Sequence, residues 1–216
     1  ISGTTTWTQV GTDIDGEAAN DNSGYSVSLS SDGSRVAIGA HKNDAGGTNS
    51  GHVRIYQYNN NSWSQLGEDI DAEAAADYSG FSVSLSSDGS RLAIGAILND
   101  GNGTNSGLVR IYDYNGSAWA QVGADIDGEA ESDQFGRSVS LSSDGSRVAI
   151  GAHLNDGNGT DSGHVRVYSI FSGGSYQYAW DVDSGSSLND GTYRATVAGA
   201  DKAGNAYSGT ESITFT

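Results

Sequence analysis

The chain has 216 residues, with no cysteine, no methionine, no proline and 32 glycines. The missing cysteine excludes disulfides, a thiol nucleophile and a thiolate metal site, and leaves reducing and oxidising compartments equally open. Its 27 acidic residues against 10 basic ones give a formal net charge of −17, which argues against nucleic acid and anionic membranes and suits cations or plain solubility.

Trp7 opens a paragraph that Trp63 and Trp119 reopen at intervals of 56 residues, a period in the range of propeller blades and solenoid units. The units run 7–62, 63–118 and 119–168. In the first, an acidic link carries Asp13, Asp15, Glu17 and Asp21. Tyr25, Val27 and Leu29 then alternate with serines, the period of a half-buried strand. Ser31-Asp32-Gly33-Ser34 is a hairpin signal, because Asp-Gly tolerates the turn's positive φ. Val36, Ile38 and Ala40 form a second strand, and a Gly/Asn/Asp loop runs from Lys42 to Gly51. Val53 and Ile55 mark a third strand, with Tyr56 and Tyr58 near its end. Asn59-Asn60-Asn61 turns the chain into a fourth strand from Trp63 to Leu66. Each unit is therefore a four-stranded antiparallel meander. The decapeptide SVSLSSDGSR recurs unchanged at 26–35, 82–91 and 138–147. It reads as strand, tight turn, strand, with Arg35, Arg91 and Arg147 placed to pair with the turn aspartate at a surface value of about 0–1 kcal/mol.

Gln134-Phe135-Gly136-Arg137-Ser138-Val139, then Val148-Ala149-Ile150-Gly151-Ala152, then Gly163-His164-Val165-Arg166-Val167-Tyr168, resembles an FG-GAP repeat, the blade of integrin-α-type β-propellers. The resemblance covers roughly residues 7–168. Copies one and two carry Ser23-Gly24 and Ser79-Gly80 for the Phe-Gly pair, and His41, Ile97 or His153 stands for the family's proline. It implies an all-β fold, a β-propeller-like array of four-stranded antiparallel blades. Many such blades hold calcium between strands one and two, but here that turn is only Asp32-Gly33, Asp88-Gly89 or Asp144-Gly145, too short for six or more oxygens. The family's metal site is not carried over.

Alternate loops of a blade fall on opposite faces. Of the six acidic positions common to all units, five lie on one rim, with only Asp32 and its counterparts on the other. Two segments on that rim have calcium-like spacing. The link offers Asp13, Asp15, Glu17 and Asp21, then Asp69, Asp71, Glu73 and Asp77, then Asp125, Asp127, Glu129 and Asp133. The loop between strands two and three offers Asp100, Asn102 and Thr104, then Asp156, Asn158 and Thr160, with Gly46 breaking the pattern in copy one. The alternative is a solvated acidic face of Asx-turns. His41 with His52, and His153 with His164, are replaced together by Ile97 with Leu108, so they are expected to touch across the hairpin as packing. No G-x-S-x-G, H-E-x-x-H or P-loop motif is present, and no cofactor other than Ca²⁺ is expected.

Beyond Tyr168 the regular units end. Tyr176, Tyr178, Trp180 and Val182 alternate, as do Tyr193, Ala195 and Val197, with Ile213 and Phe215 after them. The run from Asp190 resembles the closing strands of a bacterial Ig-like domain, so residues 169–216 are expected to be Ig-like or to complete a blade. Three blades leave edges that must be covered. The Tyr176 strand could finish blade three, and the last strands could join a Trp7 strand as a fourth blade. Strands could instead be shared between copies, or the chain could be a piece of a longer one, as its opening at Ile1 suggests. No 18-residue apolar run is present, so no membrane insertion is expected. The expected function is a non-catalytic module for adhesion, ligand binding or assembly through the acidic loop face, with calcium as an optional support, at a bacterial cell surface or outside the cell. Its expected partners are a surface protein, a polysaccharide or copies of itself. A glycan-binding propeller, with Trp and Tyr stacking on sugars, and an accessory domain of a secreted hydrolase are the alternatives; the periodic Trp7, Trp63 and Trp119 read as inter-blade core.

Overall fold

The computed structural model describes residues 6–170 and, in backbone, the strands at 191–200 and 206–215. The chain divides into two compact units, Ile1–Gly173 and Gly174–Thr216. In the first, sheet one holds β1 (Ser26–Leu29), β2 (Arg35–Ala40), β3 (His52–Asn59), β4 (Ser62–Gln65) and β5 (Ile70–Asp71). Sheet two repeats it with β6 (Ser79–Leu85), β7 (Arg91–Ala96), β8 (Leu108–Tyr114), β9 (Trp119–Gln121) and β10 (Ile126–Asp127). Sheet three holds β11 (Ser138–Leu141), β12 (Arg147–Ala152) and β13 (His164–Ser169). In the second unit β14 (Gly191–Ala200) and β15 (Ala206–Phe215) form an antiparallel hairpin. The expected Tyr176 strand lies outside the described residues.

The blades are the antiparallel meanders that the alternation and the Asp-Gly turns predict, with one difference. The outer strand is broken in two: β4 pairs with the far half of β3, and β5 returns to pair with His52 and Val53. The break falls at Gly67, where φ is +83° and the Trp119 ring lies so close that a Cβ would sit 2.9 Å from its Cδ1. The indole Nε1 donates to Leu66 O at 2.9 Å. The tryptophan of one blade thus occupies the gap in the previous blade's outer strand. Trp63 donates likewise to Val10 O at 2.9 Å. Trp7, with no earlier blade in this unit to reach, is 94% exposed and lies in no strand; the expected N-terminal strand is absent there.

The core lies between blades. Ala37, Val53, Ile55 and Ile70 of blade one pack on Val83, Leu85, Leu92 and Ile94 of blade two. Ala93, Val109 and Ile111 of blade two pack on Phe135, Val148, Ile150 and Ala152 of blade three.

The decapeptide does more than turn the chain. The expected arginine–turn aspartate pairs do not form. Asp32 is satisfied within its own turn by Ser30 Oγ (2.7 Å) and Ser34 N (2.9 Å). Each arginine instead reaches forward to the next blade's turn: Arg35 Nη1 donates to Gly89 O (3.0 Å) and Arg91 Nη1 to Gly145 O (2.8 Å). Ser31 N donates to Ser87 O, and Ser87 N to Ser143 O. Leu85 N donates to Ser28 Oγ, and Leu141 N to Ser84 Oγ. The ten residues are a joint that mates with the same ten residues of the neighbouring blade, so a change in one copy is felt by two.

Candidate functional site

At the end of each blade opposite the Asp-Gly turns, the link of one blade is laced to the 2–3 loop of the previous one. Ala72 N donates to Gly51 O, Ala76 N to Thr48 O, and Ser132 N to Thr104 O. The acidic link and the acidic loop therefore share one rim.

Within that rim the predicted ligands have separate uses. Asp21, Asp77 and Asp133 are buried, and each accepts from an asparagine of its own blade: Asn43 Nδ2 (2.8 Å), Asn99 Nδ2 (3.0 Å) and Asn155 Nδ2 (2.8 Å). Burial raises the pKa of Asp77, and the Asn99 bond offsets part of that rise. These three aspartates clamp link to loop. Asp100 and Asp156 accept from the backbone N–H groups of Asn105 and Asp161 (both 2.8 Å), closing the loop as Asx-turns do. Asn102 turns its amide outward to donate to Gly128 O (2.8 Å) and Glu129 O (3.3 Å). Asn158 N donates to Ser162 Oγ (3.2 Å), and Thr160 is exposed. Asp100, Asp156 and Asn102 therefore tie loop and link backbone together.

The remaining link acids gather around basic groups that the spacing of the acids does not reveal. Alternation along the third strand puts Val53 and Ile55 on the inter-blade core and His52, Arg54 and Tyr56 on the opposite face. In blade two, Arg110 forks onto Asp125 with Nε and Nη2 (both 2.8 Å) and also meets Glu73. Burial opposes the guanidinium charge, but Asp125 and Glu73 outweigh it and hold the pKa of Arg110 above its ordinary value. The same bond lowers the pKa of Asp125. Burial, with Asp125 beside it, raises that of Asp127. In blade three, Arg166 meets Glu129, and His164 Nδ1 lies 3.8 Å from the same carboxylate.

Blade one differs. Arg54 turns aside, Nη2 donating to Asp15 O (2.7 Å) and Nη1 lying 3.5 Å from Glu17. Asp13 and Asp69 accept from Gln9 and Gln65 at 2.8 and 2.6 Å. His52, 1% exposed, points Nδ1 at three carboxylates: Glu17 and Asp69 at 3.8 Å and Asp71 at 3.9 Å. The nitrogen has no hydrogen-bond partner. Among the described residues, Glu17, His52 and Asp69 are the one trio of His or acidic side chains whose ligand atoms lie within 4.8 Å of one another. A cleft of about 610 Å³ lined by Glu17, Gln65, Glu68, Asp69 and Asp71 opens there, and another of about 380 Å³ is lined by Glu73, Asp77, Asp100, Asp125 and Asp127 among others.

The two histidines of blade one have different main partners. The ring of His41 packs on Tyr25, Tyr78 and Phe81, whereas His52 faces the acids. Burial lowers the pKa of His41, with Lys42 adding to the effect.

The model of the FG-GAP repeat matches residues 7–56, 71–112 and 124–168. The chain belongs to the FG-GAP repeat family. Its third repeat carries the Phe-Gly pair that names the motif, and Phe135 is buried in the core between blades two and three. The matches end at residue 168, and they include nothing Ig-like in residues 169–216. No curated protein matches this FG-GAP chain. Similar solved structures include the hydrazine synthase of Kuenenia stuttgartiensis, at 12% identity, 67% of this chain, 33% of that one and a TM-score of 0.41. Another is a candidate 6-phosphogluconolactonase of Bacteroides uniformis, at 16% identity, 87% of this chain, 39% of that one and a TM-score of 0.46. The FG-GAP chain spans a third to two fifths of the length of these structures.

Proposed function

We propose that this FG-GAP chain is a non-catalytic extracellular module of adhesion and assembly, whose end faces dock on blades of the same kind in a second copy. One observation carries the reading. The two end faces are apolar and exposed, and each is the same surface that is buried inside the array. Val27 of blade one is 63% exposed, against 9% for Val83 at the same place in blade two. Val165 of blade three is 69% exposed, against 0% for Val109. The polar half of the joint is repeated as well: Arg147 stands at one end where Arg35 and Arg91 reach forward, and the Gly33 turn stands at the other where Gly89 and Gly145 receive. Such a head-to-tail contact is heterologous and builds rings or filaments. Face stacking takes the place here of the strand sharing read from the sequence. The acidic rim is left for a surface protein or polysaccharide.

Sedimentation of the full chain in chelator tests this. Association should grow with concentration. Val27→Asp and Val167→Asp should each abolish it, while the two variants mixed should form a 1:1 dimer through their intact faces. A wild-type chain that stays monomeric at hundreds of micromolar, or variants that associate alone, would refute it. Calcium support through the acidic rim is checked separately: a Tm unchanged between excess chelator and millimolar calcium removes it.

A further inference from the structure

We propose that Glu17, His52, Asp69 and Asp71 form a site for a divalent transition-metal ion at the rim of blade one. A carboxylate cluster alone is an ordinary feature of so acidic a chain. The imidazole sets this one apart. His52 is almost wholly buried, its Nδ1 has no hydrogen-bond partner, and it is aimed at three carboxylate oxygens at 3.8–3.9 Å. That distance is beyond a hydrogen bond. An ion bound tetrahedrally at about 2.0–2.1 Å spaces its ligand atoms roughly 3.4 Å apart, so a small inward movement closes the shell.

The backbone holds the parts in place. His52 and Asp71 are cross-strand partners in the β3–β5 pair. Asp69 lies in the break of the outer strand, with Gln65 Nε2 donating to its Oδ1 and leaving Oδ2 toward His52. Glu17 comes from the link before blade one, and the 610 Å³ cleft lined by Glu17, Asp69 and Asp71 gives an ion an entry path. Blade two is the built-in contrast. Leu108 replaces the histidine, and Arg110 takes both Glu73 and Asp125. In blade one Arg54 instead donates to the Asp15 carbonyl and stays 3.5 Å from Glu17, so that His52 is the group facing Glu17, Asp69 and Asp71 together. One nitrogen with two or three carboxylate oxygens suits Zn²⁺ or Mn²⁺ rather than calcium, which takes oxygen alone.

The test uses the full chain stripped with chelator. Zn²⁺ titration by calorimetry with metal analysis, and the visible ligand-field absorption of bound Co²⁺, are read on wild type, His52→Leu, Glu17→Gln and His41→Ile. Leu108 and Ile97 already stand at the corresponding places in blade two, which makes the first and last variants compatible with the blade. One equivalent of metal should be lost in His52→Leu and kept in His41→Ile. Glu17→Gln should weaken binding tenfold or more. Should His52→Leu fail to fold, assigned ¹⁵N spectra of the wild-type imidazoles decide: Zn²⁺ must shift Nδ1 of His52 and leave His41 unmoved. Retention of the equivalent in His52→Leu, or a wild type that binds no metal because His52 merely pairs with the acids, overturns the proposal. Sedimentation in chelator is independent of these readings, so the metal site and the assembly reading fail separately.

Discussion

Gly39, Gly95 and Gly151 occupy the same place in three copies of the strand R-[VL]-A-I-G-A, and alanine should be tolerated at only one of them. A Cβ on Gly39 would lie 2.1 Å from Gly80 O and 2.4 Å from Ser26 Oγ; on Gly95, 2.2 Å from Gly136 O and 2.5 Å from Ser82 Oγ. At Gly151 it meets Ser138 Oγ at 2.6 Å, and the next nearest atoms are 3.9 Å away. A carbon needs roughly 3.5 Å, so at the first two positions the next blade's backbone must retreat by about 1 Å or more. Overpacking of that kind costs about 1–3 kcal/mol. Ser26 Oγ also donates to Gly80 O at 2.8 Å, and losing that bond costs about 1 kcal/mol more. Replacing a strand glycine returns about 0.5–1 kcal/mol. Gly39→Ala and Gly95→Ala should each destabilise by about 2 kcal/mol or more, a drop of roughly 1 M in the urea midpoint at the m-values of such domains. Gly151→Ala should be near neutral, because among the described residues the Ser138 hydroxyl has no carbonyl of a further blade to hold it and can rotate away. Urea unfolding followed by tryptophan fluorescence compares the three. Equal costs at all three places, or a neutral Gly39→Ala, would refute the claim that backbone contact between blades sets this glycine.

Trp119→Ala should cost about 2–3 kcal/mol, less than the 3–5 of a fully buried tryptophan, because Trp119 is half-buried and donates to Leu66 O; Trp7→Ala should stay within about 0.5 kcal/mol. Asp113→Ala strands Arg91, which forks onto it at 2.6 Å, and should cost about 1–2 kcal/mol by thermal melting, since Asp113 itself is partly exposed. The turn aspartates set an acid limit. Hydrogen bonds from Ser86 and Ser90 lower the pKa of Asp88 to about 2, and those from Ser142 and Ser146 do the same for Asp144. Because the folded values lie below the ordinary 3.8, this stabilisation is complete above about pH 4 and is lost as pH falls towards 2. Asp88→Asn should flatten the loss of stability measured between pH 4 and 2, and an unchanged slope would contradict the assignment.

The strands were legible because each carries a period-two pattern closed by a turn whose chemistry is explicit, as in Val27-Ser28-Leu29 before Asp32-Gly33. The break in the outer strand was not, because Gly67 yields to a tryptophan 52 residues away. The joint function of SVSLSSDGSR could not be read from one copy, since its partners are backbone atoms of the next. The clustering of acids on one rim followed from strand count, yet their division into asparagine-bound clamps and acids that face an arginine or histidine did not. It depends on Arg54 and Arg110, which recur at the 56-residue spacing inside an apolar strand, where alternation marks the strand but not which acids the side chains of its other face will meet.

Because neighbouring blades recognise each other through one shared ten-residue phrase, every junction is interchangeable with every other. Excising residues 63–118 would bring Arg35 opposite Gly145 instead of Gly89 and recreate the same seam, and inserting another such unit would add a seam without redesign. The number of blades in a protein built this way is free to drift, while the fit between any two of them is not.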